Sequence, residues 1–257
     1  MPTSSKSTES DEAATPGDES QPRPDLSGSR LLAGLPEAEL APFRAVAVLV
    51  RPRMRESIYE QGGAMEYAYF PSGGVFSMLA AMSNGSVVET LTIGNEGMIG
   101  LPALMGASRS PSRIICQVSG KAIRIPIGAL LAATPREGVL FDRLVRYAQA
   151  RLTSLSRSVA CNQLHTAQQR CARWILITHD RTGFDEFPIT QDFLSQMLGV
   201  TRPTISAVGR ELQAAGLIHY AKGRLTVDDR AGLERVACEC YGIVRDAFDE
   251  LLGVKRG

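Results

Sequence analysis

The sequence predicts an α+β chain: an N-terminal double-stranded β-roll of jelly-roll type, a long dimerisation helix and a C-terminal winged helix-turn-helix. Three observations predict it. Short apolar runs broken by turn residues fill the stretch from Val46 to Pro126; a heptad repeat follows; and two short capped helices flank Gly199 ahead of a hairpin. With 257 residues and 44% hydrophobic content the chain can build two modest cores.

Residues 1 to 28 carry six acids against Lys6 and Arg23, and Leu26 is their one large aliphatic. So little apolar area cannot offset the entropy of ordering, and a disordered tail is expected there. Ser29 to Phe43 then shows a helical pattern in Leu31, Leu32, Leu35, Leu40 and Phe43, with Pro36 where a first turn tolerates it.

The expected strands are Val46 to Val50, Ser57 to Glu60, Tyr67 to Phe70, Val75 to Ala80, Val87 to Ile93, Arg113 to Val118 and Lys121 to Pro126. Between them lie Gln61-Gly62-Gly63, Pro71-Ser72-Gly73-Gly74, Asn84-Gly85 and Ser119-Gly120, which read as tight antiparallel turns, Asn-Gly being the strongest hairpin signal. The roll is expected over 29–135.

Past Ile127 the period becomes helical. Phe141, Val145, Ala148, Leu152, Leu155 and Val159 recur at steps of four and three. A seam this short fits a two-stranded coiled coil or one face packing within the chain; the first reading makes 136–162 a dimerisation helix. His165 to His179 continues as a helix closing near Asp180-Arg181-Thr182-Gly183.

The winged helix-turn-helix is expected over 163–230. Thr190 can cap a helix running to Leu198, Gly199 tolerates a sharp turn, and Thr201 caps a second helix ending before Gly216. Small Ser195 sits where the helices approach. Leu194, Leu198, Val200, Ile205, Val208 and Leu212 supply the core spacing. Opposite Ile205, Val208 and Leu212 on the helical wheel stand Arg202, Pro203, Ser206, Ala207 and Arg210.

That outward face is the expected reading face for double-stranded DNA. Arg202 can pair bidentately with a guanine, and Ser206 follows at a step of four. Arg210 is expected to reach phosphate. Thr190, Gln191, Thr201 and Thr204 stand at helix N-termini, which suit phosphate contacts. Around Lys222-Gly223 a hairpin forms a wing, with Lys222 and Arg224 near the phosphates. Asp228 or Asp229 then caps a final helix, 231–257. Gly209 inside the second helix breaks helix propensity by about 1 kcal/mol relative to Ala, with close helix packing as the candidate reason.

At these residues the chain resembles the Crp/Fnr regulators, over about residues 30 to 230. The resemblance rests on Ile58-Tyr59-Glu60-Gln61-Gly62-Gly63, Tyr69-Phe70, Gly73-Gly74, the loop Glu96-Gly97-Met98-Ile99-Gly100 and, most specifically, Leu194 to Leu212. It implies a cyclic-nucleotide-binding-like roll and a homodimer that binds two-fold symmetric sites near promoters, with RNA polymerase a further partner. Departures from the pattern bear on the effector. Nucleotide-binding members have a Glu after the Ile-Gly and an Arg-Ser pair about ten residues on; here Leu101-Pro102 and Pro111-Ser112 stand there. A buried cyclic phosphate would lack its charged partner unless Arg109 or Arg113 substitutes, so an effector other than cyclic AMP, or none, is expected.

No cofactor is expected. The iron-sulfur branch needs N-terminal cysteines and none precedes Cys116; the haem branch needs roll histidines, and all three histidines lie at or beyond His165. The five cysteines read as free and buried. Cys161, His165 and Cys171 with Cys238 or Cys240 are the one candidate metal or redox set, but their spacings match no standard zinc pattern, so no metal is expected.

A net charge of +1 leaves any basic surface local, and Arg143 to Arg173 holds six arginines and no acid. No apolar run approaches a membrane span and no signal peptide is evident, which predicts a cytoplasmic protein with no membrane partner. Phosphate-cradling glycine loops and nucleophile elbows are missing, so no enzyme is expected. The competing class is a ligand-binding or protein-interaction module with a degenerate winged helix.

Overall fold

The computed structural model describes residues 24–253. The expected tail lies outside the described residues up to position 23, and residues 254–257 of the expected C-terminal helix lie outside them too. The tail reading fails at its end. Leu26 is buried with Leu31, Leu32 and Leu35 in one apolar cluster. One aliphatic suffices here because the turns after Ser29 fold three more leucines around it. The helical reading of Ser29 to Phe43 also shortens to α1, Glu37–Arg44, with Pro36 its N-cap.

Seven strands follow at the expected places: β1 (Val48–Val50), β2 (Ser57–Tyr59), β3 (Tyr67–Pro71), β4 (Val75–Ala81), β5 (Val87–Ile93), β6 (Arg113–Val118) and β7 (Ala122–Pro126). They form two antiparallel sheets, ordered β1-β7-β3 and β2-β6-β4-β5. Asn84-Gly85 closes a true hairpin between β4 and β5. The other three glycine turns do not, which corrects the expectation of tight antiparallel turns. Each carries the chain from one sheet to the other: β2 to β3, β3 to β4 and β6 to β7. Gly74 and Gly120 meet backbone to backbone at such a corner, where a Cβ on either would overlap the other's loop.

A 3-10 turn, Leu101–Met105, and a short helix α2, Ile127–Ala132, lead to the long helix α3, Val139–Leu164. Glu39 of α1 accepts from the backbone N–H groups of Val139 and Leu140, each at 2.9 Å, and so stands where a cap residue would. α3 buries Leu140, Leu144, Tyr147, Ala150 and Cys161 within the chain. Its expected seam points elsewhere. Val145, Leu152 and Val159 are 53%, 62% and 68% exposed, and Phe141, Ala148 and Leu155 are half-buried beside them.

Thr166 opens α4, Ala167–Thr182, through a reciprocal capping box with Gln169. Then come β8 (Glu186–Pro188), α5 (Gln191–Leu198), α6 (Arg202–Ala214), β9 (Ile218–Ala221) and β10 (Arg224–Val227), the last three strands forming a sheet ordered β8-β10-β9. The single helix expected after Asp229 is two. Asp229 caps α7 (Arg230–Val236), the chain extends at Ala237, and α8 (Cys240–Leu252) turns back along α3. Val244, Phe248 and Leu252 join Leu140, Leu144 and Tyr147 in the roll-side core, so α8 serves the roll rather than the winged helix.

Sheet β2-β6-β4-β5 is covered on both faces. Phe76, Met78 and Ile114 point into the roll, while Leu79 and Ile115 join the winged-helix core around Trp174, Leu194 and Leu198. This double burial is why β4 reads as an almost continuous apolar run, Val75-Phe76-Ser77-Met78-Leu79-Ala80, rather than an alternating one.

Candidate nucleic-acid interface

The two helices of the motif are set by local chemistry. Thr190 caps α5 by accepting from the Phe193 N–H, Gly199 closes it at φ +62°, and Thr201 caps α6 by accepting from the Thr204 N–H. Ile205, Val208 and Leu212 are buried. The opposite face of α6 lies open: Arg202, Pro203 and Arg210 are exposed, with Thr204, Ser206 and Ala207 half-buried between them. A Cβ on Gly209 would meet nothing within 4 Å, so helix packing does not explain that glycine.

Side-chain bonds hold the start of α6 to the start of α5. Ser206 donates to Gln191 at 2.7 Å, while at the start of α6 itself the Thr201 and Thr204 hydroxyls lie 2.8 Å apart. Arg202 Nε sits 3.1 Å from Asp192 Oδ1, both side chains being about two-thirds exposed (66% and 64%). Asp192 was not among the expected site residues; an acid in the first turn of α5 was its available signal. An ion pair this exposed contributes about 0–1 kcal/mol, so Arg202 leaves it at little cost.

In the wing, Lys222 and Gly223 both adopt positive φ, +50° and +74°, the geometry of a type I′ hairpin. Lys222 is exposed at the tip. Arg224 pairs with Glu186 on β8, both side chains being about half exposed (52% and 50%). Thr190, besides capping, accepts from Arg55 of the roll at 3.5 Å. The arginine-rich run is likewise structural in large part. Arg143 donates to the carbonyls of Leu31 and Ala33, Arg151 lies over the Tyr147 ring, and Arg170 donates to the Leu198 carbonyl.

The roll grips the winged helix through buried polar contacts. Arg181 on α4 pairs with Glu96 at 2.6 Å and also donates to Thr92. Gln117 donates to Thr178 at 3.1 Å while accepting from Ser77. Burial pushes the Glu96 carboxyl up, but Arg181 and the Gly94 N–H outweigh that and hold it below the ordinary range. The same loop touches α3: Tyr147 donates to the Met98 carbonyl at 3.3 Å, and a Cβ on Gly97 would overlap its ring. Between the β4–β5 hairpin and the turn at Gly199 lies an open cleft of ≈ 450 Å³.

Trp174, the single tryptophan, donates to Glu89 Oε1 at 2.8 Å, and Glu89 Oε2 is buried without a partner among the described residues. Burial raises that carboxyl to about 7, against the bond from Trp174 and the charges of Arg181 and Arg173. A folded value above the ordinary 4.5 means that Glu89 contributes its full stability below pH 4.5 and loses it as pH rises through about 7. The loss amounts to about 3 kcal/mol across that window, at 1.36 kcal/mol per pH unit. Glu89→Gln is expected to remove this component. Urea unfolding followed by Trp174 emission should show the variant gaining on the parent as pH rises from 5 to 8; parallel profiles would exclude a Glu89 role.

At the roll's nucleotide position, Arg109 donates to the Gly62 carbonyl at 2.7 Å and Arg113 pairs with Glu60 at 3.3 Å. Both arginines weighed in the sequence as phosphate partners thus bond within the roll, and Leu101 is buried.

A two-sheet roll, a long helix with an exposed apolar stripe and a winged helix with an open second helix together define the class: a roll domain joined by a long helix to a winged helix-turn-helix. Residues 169–236 match the family model for the Crp-like helix-turn-helix domain. Among solved structures, FixK2 from Bradyrhizobium japonicum is similar at TM-score 0.64 and 16% identity, covering 75% of this chain and 98% of that one. TTHB099, a CRP-family transcriptional regulator from Thermus thermophilus, is similar at TM-score 0.62 and 20% identity, covering 73% and 96%. The c-di-GMP-responsive global regulator CLP from Xanthomonas campestris follows at 0.59 and 15%, covering 75% and 99%. A search of curated proteins gives no match. Residues 169–236 are thus a Crp-like helix-turn-helix domain, and the chain has the fold of these solved regulators. Regulators of this type bind DNA, typically as dimers. Among the described residues no helix is long and apolar enough to cross a membrane.

Proposed function

We propose that this chain acts as a homodimer that reads a two-fold symmetric DNA site through Thr201 to Ala215, under an effector other than cyclic AMP or under none. The observation that carries the reading is the open polar face of α6, with Arg202 at its N-terminus on an easily broken pair with Asp192. Arg202 reads a base edge and Ser206 supports it. Thr190, Gln191, Thr201, Thr204, Arg210 and Lys222 hold the sugar-phosphate backbone, and Arg224 joins them by exchanging Glu186 for phosphate. The protein works in the cytoplasm as a regulator rather than an enzyme, with RNA polymerase its partner at promoters.

Control acts on the docking of the winged helix against the roll. Two recognition helices must enter successive major grooves about 34 Å apart. Each is carried on α4, which Glu96, Gln117 and Glu89 anchor to the roll. A signal that changes these anchors changes the separation of the helices.

The test is binding to the protein's own upstream DNA and to unrelated DNA across a salt series. Arg202→Ala is expected to lose about 5- to 150-fold in affinity per half-site, matching 1–3 kcal/mol for a bidentate base contact, with the two half-site losses multiplying on the full site and non-specific binding nearly unchanged. Equal losses on both DNAs would make Arg202 a phosphate contact. Binding to neither at any salt would leave the protein-interaction module as the reading.

A further inference from the structure

Four metal-ligand side chains outside the DNA interface converge where α3 ends and α7 meets α8. Cys161 and His165 stand one helical turn apart at the end of α3; Cys238 and Cys240 flank Glu239 at the α7–α8 junction. Their donor atoms all lie within 4.8 Å of one another. Cys161 Sγ is 3.5 Å from Cys238 Sγ, and Cys240 Sγ is 3.7 Å from His165 Nδ1. All three thiols are buried and free. Cys171, grouped with them in the sequence, is excluded: it lies in the winged-helix core, where burial pushes its thiol up to about 12.

We propose that Cys161, His165, Cys238 and Cys240 form a closed, tetrahedral Cys3His site for a divalent metal of zinc type. With Zn–S about 2.3 Å and Zn–N about 2.0–2.1 Å, tetrahedral geometry places ligand atoms about 3.6–3.8 Å apart. The Cys161–Cys238 and Cys240–His165 separations already match, and the widest needs to close by about 1 Å. His165 would bind through Nδ1, and its Nε2 lies 3.2 Å from the Glu239 carboxylate, the outer partner that fixes ring orientation in histidine–metal sites. Arg173, its Nε buried without a partner among the described residues, is close enough for its charge to act on Cys161 and Cys240. That charge offsets the net negative of three thiolates on a divalent ion. On binding, each thiol releases its proton to solvent.

Four protein ligands leave no open position, so the site is structural. It staples the end of the long helix to the junction from which α8 returns along that helix, and so fixes the hinge between roll and winged helix. It lies apart from α6, and its metal content is read without DNA, so its failure and a failure of DNA binding are separate results.

The experiment is metal analysis of the whole chain purified under reducing conditions with zinc, followed by titration of the metal-free protein with Co²⁺. One zinc per chain, retained on dialysis, and the visible bands of tetrahedral thiolate-bound cobalt are expected. Cys238→Ser should lose the metal while Cys171→Ser keeps it, and Glu239→Gln should bind roughly tenfold or more weakly. The cobalt titration of the parent chain needs no variant to fold. Substoichiometric zinc without cobalt bands, a Cys161–Cys238 disulfide in place of metal, an iron-sulfur chromophore, or equal loss in Cys171→Ser would overturn the proposal.

Discussion

Arg181→Met is expected to destabilise the protein by about 3–5 kcal/mol at neutral pH, the cost of leaving a buried carboxylate without its cation. Glu96 and Arg181 side chains are only 4% and 8% exposed, and the pair joins α4 to the loop after β5. Methionine keeps most of the arginine's volume, so lost packing adds little. What remains is a buried Glu96 carboxylate with the Gly94 N–H as its bonded partner. The pH dependence distinguishes this from a packing defect. In the parent, Glu96 has a lowered folded value, so its contribution is present above the ordinary carboxylate range and lost as pH falls. In the variant the buried carboxylate is the penalty itself, and protonation removes it, so the deficit should shrink toward acid pH. Adding Glu96→Gln should restore much of the loss. Trp174 emission in urea is the probe, because the single tryptophan sits on the same roll–winged-helix seam. A deficit that is small, or flat with pH, would mean that the docking does not rest on this pair.

The features legible in the sequence are those that local chemistry decides. Thr190, Gly199 and Thr201 announce α5 and α6 because capping and positive φ act within four residues. The seven strands are legible for the same reason, being short apolar runs between turns. What escaped depends on distant packing. The glycine turns look alike in sequence, yet only Asn84-Gly85 is a hairpin, since which sheet a strand joins is decided by partners far along the chain. Leu26 gave no sign that it would be buried, nor Ala237 that one helix would become two with the second packed on α3. Arg202 and Arg224 were legible as cations on the DNA side, but Asp192 and Glu186, which hold them, emerge only from the folded arrangement. The thiol and imidazole cluster was legible as a candidate set but not as a site, since Cys171 was grouped with it and no metal was expected. Its two halves are some seventy-five positions apart, and no spacing rule links Cys161-x3-His165 to Cys238-x-Cys240.

The heptad stripe on α3 carries the second large expectation. Leu152→Asp should raise the dimer dissociation constant about 10²- to 10⁴-fold: each leucine contributes about 1.5–3 kcal/mol when fully buried, a symmetric interface loses two, and 1.4 kcal/mol is tenfold. Two carboxylates brought together across the two-fold axis add repulsion. The fold of each chain should survive, because Leu152 is 62% exposed, whereas the intramolecular face of the same helix is held by Leu140, Leu144 and Tyr147. Sedimentation equilibrium reads the first effect and circular dichroism the second. DNA binding separates the roles further. A dimer gains its selectivity from two half-sites engaged at once, so Leu152→Asp should fall toward the affinity of one half-site while keeping its salt-dependent attraction to any duplex. Unchanged association in Leu152→Asp, and in Leu152→Asp combined with Val159→Asp, would move the dimer contact off this helix and leave the stripe Val145, Leu152 and Val159 without a partner.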